Sequence, residues 1–227
     1  MVALTVSIAL PVRRPVLAEA LPSALTRAGI TVVLGAALTA LAAQVSLPVP
    51  GSPVPVTGQT FAVLLTAAAL GPARGMASQA LYLLLGAVGL PVFAGATHGP
   101  AVIFGASGGY LVGFLVAAAI VGGGARRGAD RSPLRTLLLF ALASAVIYTI
   151  GTAWLCLDTG MSVSAGISAG VSPFIPGDVA KALLAAGLLP GAWRLLGRGA
   201  AGATRPADAA GHVAVPGAGR PADADTR

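Results

Sequence analysis

Apolar runs about as long as a bilayer is thick, joined alternately by arginine-rich and arginine-free connections, constrain this chain more than any other feature. Hydrophobic residues make up 56% of its 227 residues and charged ones only 9%, with a mean hydropathy of +0.88. Soluble domains carry about 25% charged residues, so the composition belongs to the membrane class. A transmembrane helix needs roughly 20 apolar residues, fewer inside a bundle. On that basis spans fall near 25–46, 57–71, 74–89, 107–124, 134–156 and 177–197. The second and third are short and are split by Gly71-Pro72-Ala73-Arg74-Gly75, whose Gly and Pro mark a turn. Two short helices or one hairpin dipping from a single face both fit, and neither changes the parity of later spans. The expected fold is an all-α membrane protein, with six transmembrane helices forming one domain over residues 25–198.

Arginine placement predicts orientation. Arg13, Arg14 and Arg27 precede or begin the first span, Arg74 lies in the second-to-third turn, and Arg126, Arg127, Arg131 and Arg135 crowd the fourth-to-fifth connection. Arg194 and Arg198 end the sixth span, and Arg205, Arg220 and Arg227 follow it. Loops 47–56, 90–106 and 157–176 contain no Lys or Arg. The positive-inside rule then puts both termini in the cytoplasm and these three loops outside, as a multi-pass protein of the cell membrane. Residues 1–24 read as a cytoplasmic leader. Ala18-Glu19-Ala20 faintly resembles a cleavage site, but Arg13 and Arg14 follow the apolar stretch instead of preceding it, the wrong order for a signal peptide. Residues 199–227 have almost no large apolar side chains and are expected to be a disordered cytoplasmic tail. The net charge of +7 does not indicate nucleic acid, because the basic residues are scattered between apolar spans. A single cysteine, Cys156, rules out an internal disulfide and a cysteine-rich metal site. It reads as a small hydrophobe, and no metal is expected.

The candidate site begins at Asp178 and Lys181, the latter the only lysine in the chain. Residues at i and i+3 share a helical face. An Asp or Lys at mid-bilayer costs roughly 2.5–3.5 kcal/mol each, so a membrane chain that keeps such a pair uses it, either as a structural salt bridge or to hold a polar ligand. Pro176 and Gly177 leave free backbone N–H groups nearby, which suit an anion or a carbonyl. The loop before span two has four prolines in residues 48–55, which stiffen it into extended structure. Folded inward as a lid, it brings Thr57 and Gln59 to the mouth of span two, where Gln59 faces a ligand or satisfies backbone groups. Phe93 lies in an apolar, Gly-rich loop long enough to bind a ligand, and packs either on a ligand ring or on the span tops. Tyr82 and Tyr110 bring hydroxyls to apolar helices. Tyr110 is an interfacial belt residue or a pocket donor. Ser78 and Gln79 face a ligand or bond a neighbouring helix. His98 is alone on its loop, and nothing nearby gives it a metal or acid–base role. In span one Gly35, Thr39 and Ala43, with Ala36 and Ala40, recur at intervals of four, a stripe that permits close helix approach.

Four motifs then resemble one known family. Pro53-Val54-Pro55-Val56-Thr57-Gly58-Gln59-Thr60-Phe61, Gly89-Leu90-Pro91-Val92-Phe93-Ala94-Gly95, Gly108-Gly109-Tyr110-Leu111-Val112-Gly113-Phe114 and Phe174-Ile175-Pro176-Gly177-Asp178 with Lys181 look like the signature series of BioY, the biotin-specific substrate-binding (S) component of energy-coupling factor transporters. The match runs in order from about residue 30 to 197. One departure is Ala106-Ser107, where the family usually has Pro-Thr; Ser107 keeps the hydroxyl. The resemblance implies an S-component-like six-helix bundle with biotin near the external face, a transmembrane coupling protein and a pair of ATP-binding-cassette ATPases as partners, and Ala36 and Ala40 as the stripe that docks on the coupling protein. The chain has no Gly-x-x-x-x-Gly-Lys-Ser/Thr loop, so ATP would be used by the partners and no cofactor is expected. Asp178 can accept from a ureido N–H, and Lys181 can donate to the ureido carbonyl or to the valerate carboxylate. Phe93, Tyr82 and Tyr110 can wall the apolar ring. The rivals are an S component for another vitamin, a membrane-embedded enzyme using Asp178, for which no partner residue has motif spacing, and a purely structural membrane protein.

Overall fold

A computed structural model of the chain describes residues 14–19 and 28–203. Eight α-helices and one short strand pair follow in order: α1 (Ala28–Gln44), β1 (Ser46–Leu47), β2 (Val56–Thr57), α2 (Gln59–Leu70), α3 (Pro72–Ala87), α4 (Pro100–Phe104), α5 (Gly108–Arg126), α6 (Pro133–Thr159), α7 (Val163–Gly170) and α8 (Ile175–Ala203). The six longer helices correspond to the six expected spans. Three of them, α5, α6 and the Ile175–Leu196 part of α8, are long and apolar enough to cross a membrane by themselves.

Local chemistry sets the boundaries. Gly71, at φ 82°, takes a left-handed conformation open to glycine, and Pro72 starts α3 where its missing N–H costs nothing. Spans two and three are therefore two helices joined by a tight turn. Gly160, at φ 71°, ends α6 as a left-handed cap. Two of the arginine-free connections contain helices that hydropathy does not reveal. Pro100 opens α4, and the Ser162 hydroxyl accepts from the Ala165 N–H at the start of α7. The Pro-rich connection is not extended throughout, as its prolines suggest, but doubles back: the Ser52 N–H donates to the Val49 carbonyl at 3.0 Å around Gly51, at φ 79°, and its ends pair antiparallel, Ser46 with Thr57 and Leu47 with Val56.

Helix α5 lies at the centre, packed on α2, α3 and α6. Small residues bring the backbones together. A Cβ on Gly122 would overlap the backbone of Gly71 and Pro72, and one on Gly113 would press on Ile147. Val63, Ala67, Ala117, Val121, Phe140 and Ile147 fill the core between these helices. Leu134, Leu138 and Leu142 on α6 and Leu183, Leu184 and Leu188 on α8 point outward, exposed. Exposed leucine stripes on helices this apolar face lipid, which welcomes them as a core does.

The small-residue stripe on α1, which the resemblance assigns to docking on a coupling protein, turns toward the chain's own core. Ala36 is 1% exposed and belongs to the core, and Ala40 is half-buried against the same core. Gly35, Thr39 and Ala43 are buried with them. A Cβ at Gly35 would strike Ser78 and Thr66, so the stripe serves the close approach of α1 to α2 and α3. The outer face of α1 carries Val33, Leu34, Leu38 and Leu41. Of the two roles open to Gln79, the interhelical one is seen: its amide bonds the Thr39 hydroxyl at 3.3 Å. Ser78 donates back to the Arg74 carbonyl.

The arginines converge at one end. Arg126 holds Glu19 through both carboxylate oxygens, at 2.7 and 2.6 Å, and Arg74 reaches the same carboxylate at 3.2 Å. Arg131 donates to the Pro15 carbonyl and lies over the Trp193 ring, 4.1 Å from its centroid. Residues 14–19 thus strap across this end, with Val16 fully buried. Helix α8 continues to Ala203, so the first residues of the expected tail are helical; the remainder of the tail and most of the leader lie outside the described residues.

Two tests follow from these contacts. Gly122→Ala should lower the thermal midpoint of the detergent-solubilised protein by an amount corresponding to about 1–3 kcal/mol, because backbone atoms cannot yield to the new methyl. Gly187→Ala, which meets nothing within 4 Å, should leave it unchanged or raise it. The second test concerns Glu19. Its bond to the Arg126 guanidinium outweighs burial and holds its carboxyl below the usual glutamate range. A depressed folded pKa means the strap's stabilisation is complete above the ordinary glutamate pKa and is lost as pH falls through the depressed value. Glu19→Gln should remove that acid-side loss from thermal unfolding measured against pH.

Candidate functional site

Helices α2, α5, α6 and α8 meet under the arginine-free loops, and their ends set the polar groups of the site. Lys181 lies one turn beyond Asp178 on α8, and its ammonium is 2.7 Å from an Asp178 oxygen. The same ammonium donates to the Thr57 carbonyl at 2.7 Å and the Thr60 hydroxyl at 2.8 Å. All three of its donors are thereby used. Thr60 donates to Asp178 Oδ1 at 2.9 Å, and the Tyr148 hydroxyl donates to Oδ2 at 2.5 Å. Asp178 is 8% exposed and the Lys181 side chain 20%. An ion pair this secluded needs such additional bonds: each Asp178 oxygen has a donor and each Lys181 proton an acceptor.

Beside this network lies a cavity of about 360 Å³. Its polar lining residues are Thr57, Gln59, Thr60, Thr97, Ser107 and Tyr148. The rest is apolar and aromatic, made by Pro53, Val54 and Pro55 from the stiff loop, Phe93 and Ala94 from the next, Tyr110, Leu111 and Phe114 from α5, and Ile147 and Phe174. Tyr110 stacks on Phe174 with ring centroids 5.9 Å apart. Its hydroxyl donates to the Gly170 carbonyl at 2.8 Å, tying α7 to α5. At 6% exposure Tyr110 is a wall residue and not part of an interfacial belt. Phe93, 1% exposed, both lines the cavity and sits edge-on to Tyr82, 5.4 Å between centroids.

Four of the expected site residues, Thr57, Gln59, Phe93 and Tyr110, line this cavity. Three stand behind it. Tyr82 is fully buried and receives the Gln59 amide at 2.7 Å, so it positions Gln59 and Phe93 and does not wall the cavity itself. Asp178 and Lys181 line only a recess of about 10 Å³ on the far side of Thr60. They reach the cavity through Thr57, Thr60 and Tyr148, where the expectation put them directly on it. The reason is saturation: their own side chains and these neighbours complete the bonds that an open position would leave unmade. Hydropathy reading passed over Thr60, Tyr148, Phe114 and Phe174. The signal for Tyr148 was present, since a tyrosine hydroxyl in mid-span needs a partner. His98 is exposed on its loop. Among the described residues, no three His, Cys, Asp or Glu side chains gather where they could hold a metal ion.

A multi-helix membrane protein that encloses a ligand-sized cavity beneath its own loops, with one polar and one aromatic wall, is the class this fold and site define. Its sequence says which: residues 13–198 match the BioY family, and the chain belongs to that family. A Pyrococcus horikoshii protein named "Probable biotin transporter BioY" is 41% identical over 154 residues, covering 68% of this chain and 88% of the relative. "Biotin transporter BioY2" of Lactococcus lactis subsp. cremoris is 35% identical over 153 residues, 67% of this chain and 82% of the relative. "Biotin transporter BioY" of Thermotoga maritima is 37% identical over 151 residues, 66% and 86% respectively. In three dimensions the chain is similar to a crystal structure of the S component for biotin from an ECF-type ABC transporter. The TM-score is 0.69 at 22% sequence identity, over 77% of this chain and 95% of the other. That likeness shows the fold: the bundle is S-component-like.

Tyr148→Phe should leave Asp178 Oδ2 without its donor. A hydrogen bond to a charged group is worth about 1.5–3 kcal/mol, and the ligand-free thermal midpoint should fall accordingly, while Tyr110→Phe, which leaves the ion pair whole, should have the smaller effect.

Proposed function

We propose that this chain binds biotin at high affinity and serves in its uptake across the cell membrane, as the substrate-binding component of an energy-coupling factor transporter. The observation that carries this is the two-sided cavity. A ureido ring presents two N–H donors and one carbonyl acceptor, which match the Thr57, Gln59, Thr60 and Tyr148 wall. The sulfur ring and aliphatic tail are apolar and match Phe93, Phe114, Phe174 and Tyr110. Asp178 and Lys181 act on the ligand from behind Thr60 and Tyr148, where exchanging one of their internal bonds for a ureido or carboxylate partner keeps every charge paired. The transporter names borne by relatives at 35–41% identity support this vitamin over another, and support transport over the enzyme alternative, as does the full engagement of Asp178 by Thr60, Tyr148 and Lys181.

On the same reading the arginine-rich end, the leader and the tail are cytoplasmic and the cavity opens outward, by the positive-inside rule. Active uptake then requires a transmembrane coupling protein and ABC ATPases, since the chain carries no phosphate-binding loop sequence.

Equilibrium binding of labelled biotin to the purified full-length chain tests the proposal, with thiamine and riboflavin as competitors. Saturable binding that only biotin displaces is expected; no retention of biotin, or displacement by another vitamin, overturns it. Asp178→Asn and Lys181→Met should each weaken biotin at least tenfold while the protein still reaches the membrane.

A further inference from the structure

Gln44, the last residue of α1, is exposed, yet its side chain is fully occupied by a loop on the cavity wall. Its amide nitrogen, 3.0 Å from the Ala40 carbonyl of its own helix, lies 3.4 and 3.3 Å from the carbonyls of Val92 and Phe93. Its amide oxygen accepts from the Ala96 N–H at 3.1 Å. Ala96 is the single non-glycine residue with positive φ among the described residues, at 57°. A left-handed alanine persists only where its surroundings over-determine it; here the turn is closed by bonds between Phe93, Ala94 and Thr97, and the Gln44 carbonyl is the group from outside the loop that bonds the Ala96 N–H. The same turn delivers Phe93, Ala94 and Thr97 to the cavity. The Phe93 ring lies directly on Gly86, where any Cβ would overlap it, and the Gly86 carbonyl accepts from Gly99 at 2.7 Å.

We infer that Gln44 is a positioning residue: it pins loop 89–99 to the end of α1, and release of that pin governs how fast ligand leaves the cavity. Three facts point the same way. The contact is made by one side chain whose donor and acceptor grip both sides of the turn. The turn it grips is backbone-strained. The residues it sets are cavity walls and not distant packing. Because Gln44 terminates α1, any shift of that helix is passed to the wall loop through these bonds. The ligand-escape half of this inference rests on the proposed function; the loop-ordering half does not.

The test uses the full-length chain in detergent micelles, with Gln44→Ala and, to keep the side-chain length, Gln44→Met. Amide hydrogen exchange of the ligand-free protein should rise at least tenfold over residues 91–99 and stay unchanged over α5. Labelled biotin should dissociate at least fivefold faster, with its association rate within twofold of wild type and the ligand-free thermal midpoint unaltered. Unchanged exchange in the loop, exchange that rises throughout the bundle, or unchanged dissociation despite faster loop exchange would each overturn the inference. If the wild-type chain fails to retain biotin, the proposed function falls while the exchange measurement still decides whether Gln44 orders the loop.

Discussion

Two opposite charges set among apolar helices must be answered where they stand, and the upper half of this structure is arranged around that need. Asp178 and Lys181 draw in a backbone carbonyl from the end of β2, a hydroxyl from α2 and a phenol from α6. Each of those groups is thereby fixed in position and orientation. Removing one partner of a buried pair leaves an uncompensated charge, at a cost of about 3–5 kcal/mol, so the three elements cannot drift apart independently. The cavity borrows this rigidity: Thr57, Thr60 and Tyr148 are at once ligands of the ion pair and part of the cavity wall.

At the opposite end a different carboxylate does similar work under different physics. Glu19 joins Arg74 of α3 to Arg126 of α5 in partly exposed surroundings, where screening by solvent makes such bonds weak singly. Its value lies in geometry, since it closes the strap over the tight Gly71-Pro72 turn that α5 packs against. The two ends of the bundle therefore differ in how they can be loosened. The arginine end yields to acid and salt, whereas the ion pair at the cavity end is more buried, Asp178 at 8% exposure, and less open to screening.

Much of this was legible in the residues. Arginine placement and hydropathy locate all six long helices, because the bilayer demands a length and a composition that few other constraints imitate. The Asp178–Lys181 pair is legible because charge is scarce here. What escaped has a physical reason in each case. The stripe of Ala36 and Ala40 has a period but no sign: a helix of alanines reads the same whether its small face meets its own neighbours or another protein, and only the packing places Ala36 in the chain's own core. Asp178 and Lys181 were expected on the cavity and stand behind it, because sequence reveals which groups need partners and not which partners they already have. Helices α4 and α7 escaped because they are short and their signals, a proline start and a serine cap, are common in loops. Tyr82, chosen as a wall, is a support for the same reason that Tyr148 was overlooked: an intramembrane hydroxyl announces a bond without saying to whom.

The saturation of the ion pair bears on selectivity. An open charge would attract any polar solute, and the empty protein would suffer its desolvation. Here Asp178 and Lys181 are instead engaged by Thr57, Thr60 and Tyr148. A ligand gains from Thr60, Tyr148, Asp178 and Lys181 only by replacing the bonds it disturbs with equally good ones. A solute of the right size but lacking a donor or acceptor at that wall would leave a buried polar group unpaired, and rejection on that ground is far steeper than rejection by the apolar wall, where one methylene more or less is worth only about 1–3 kcal/mol. On the proposed function, the aromatic lining of the cavity would supply affinity, and the polar lining, through the network behind it, would decide which molecule receives it.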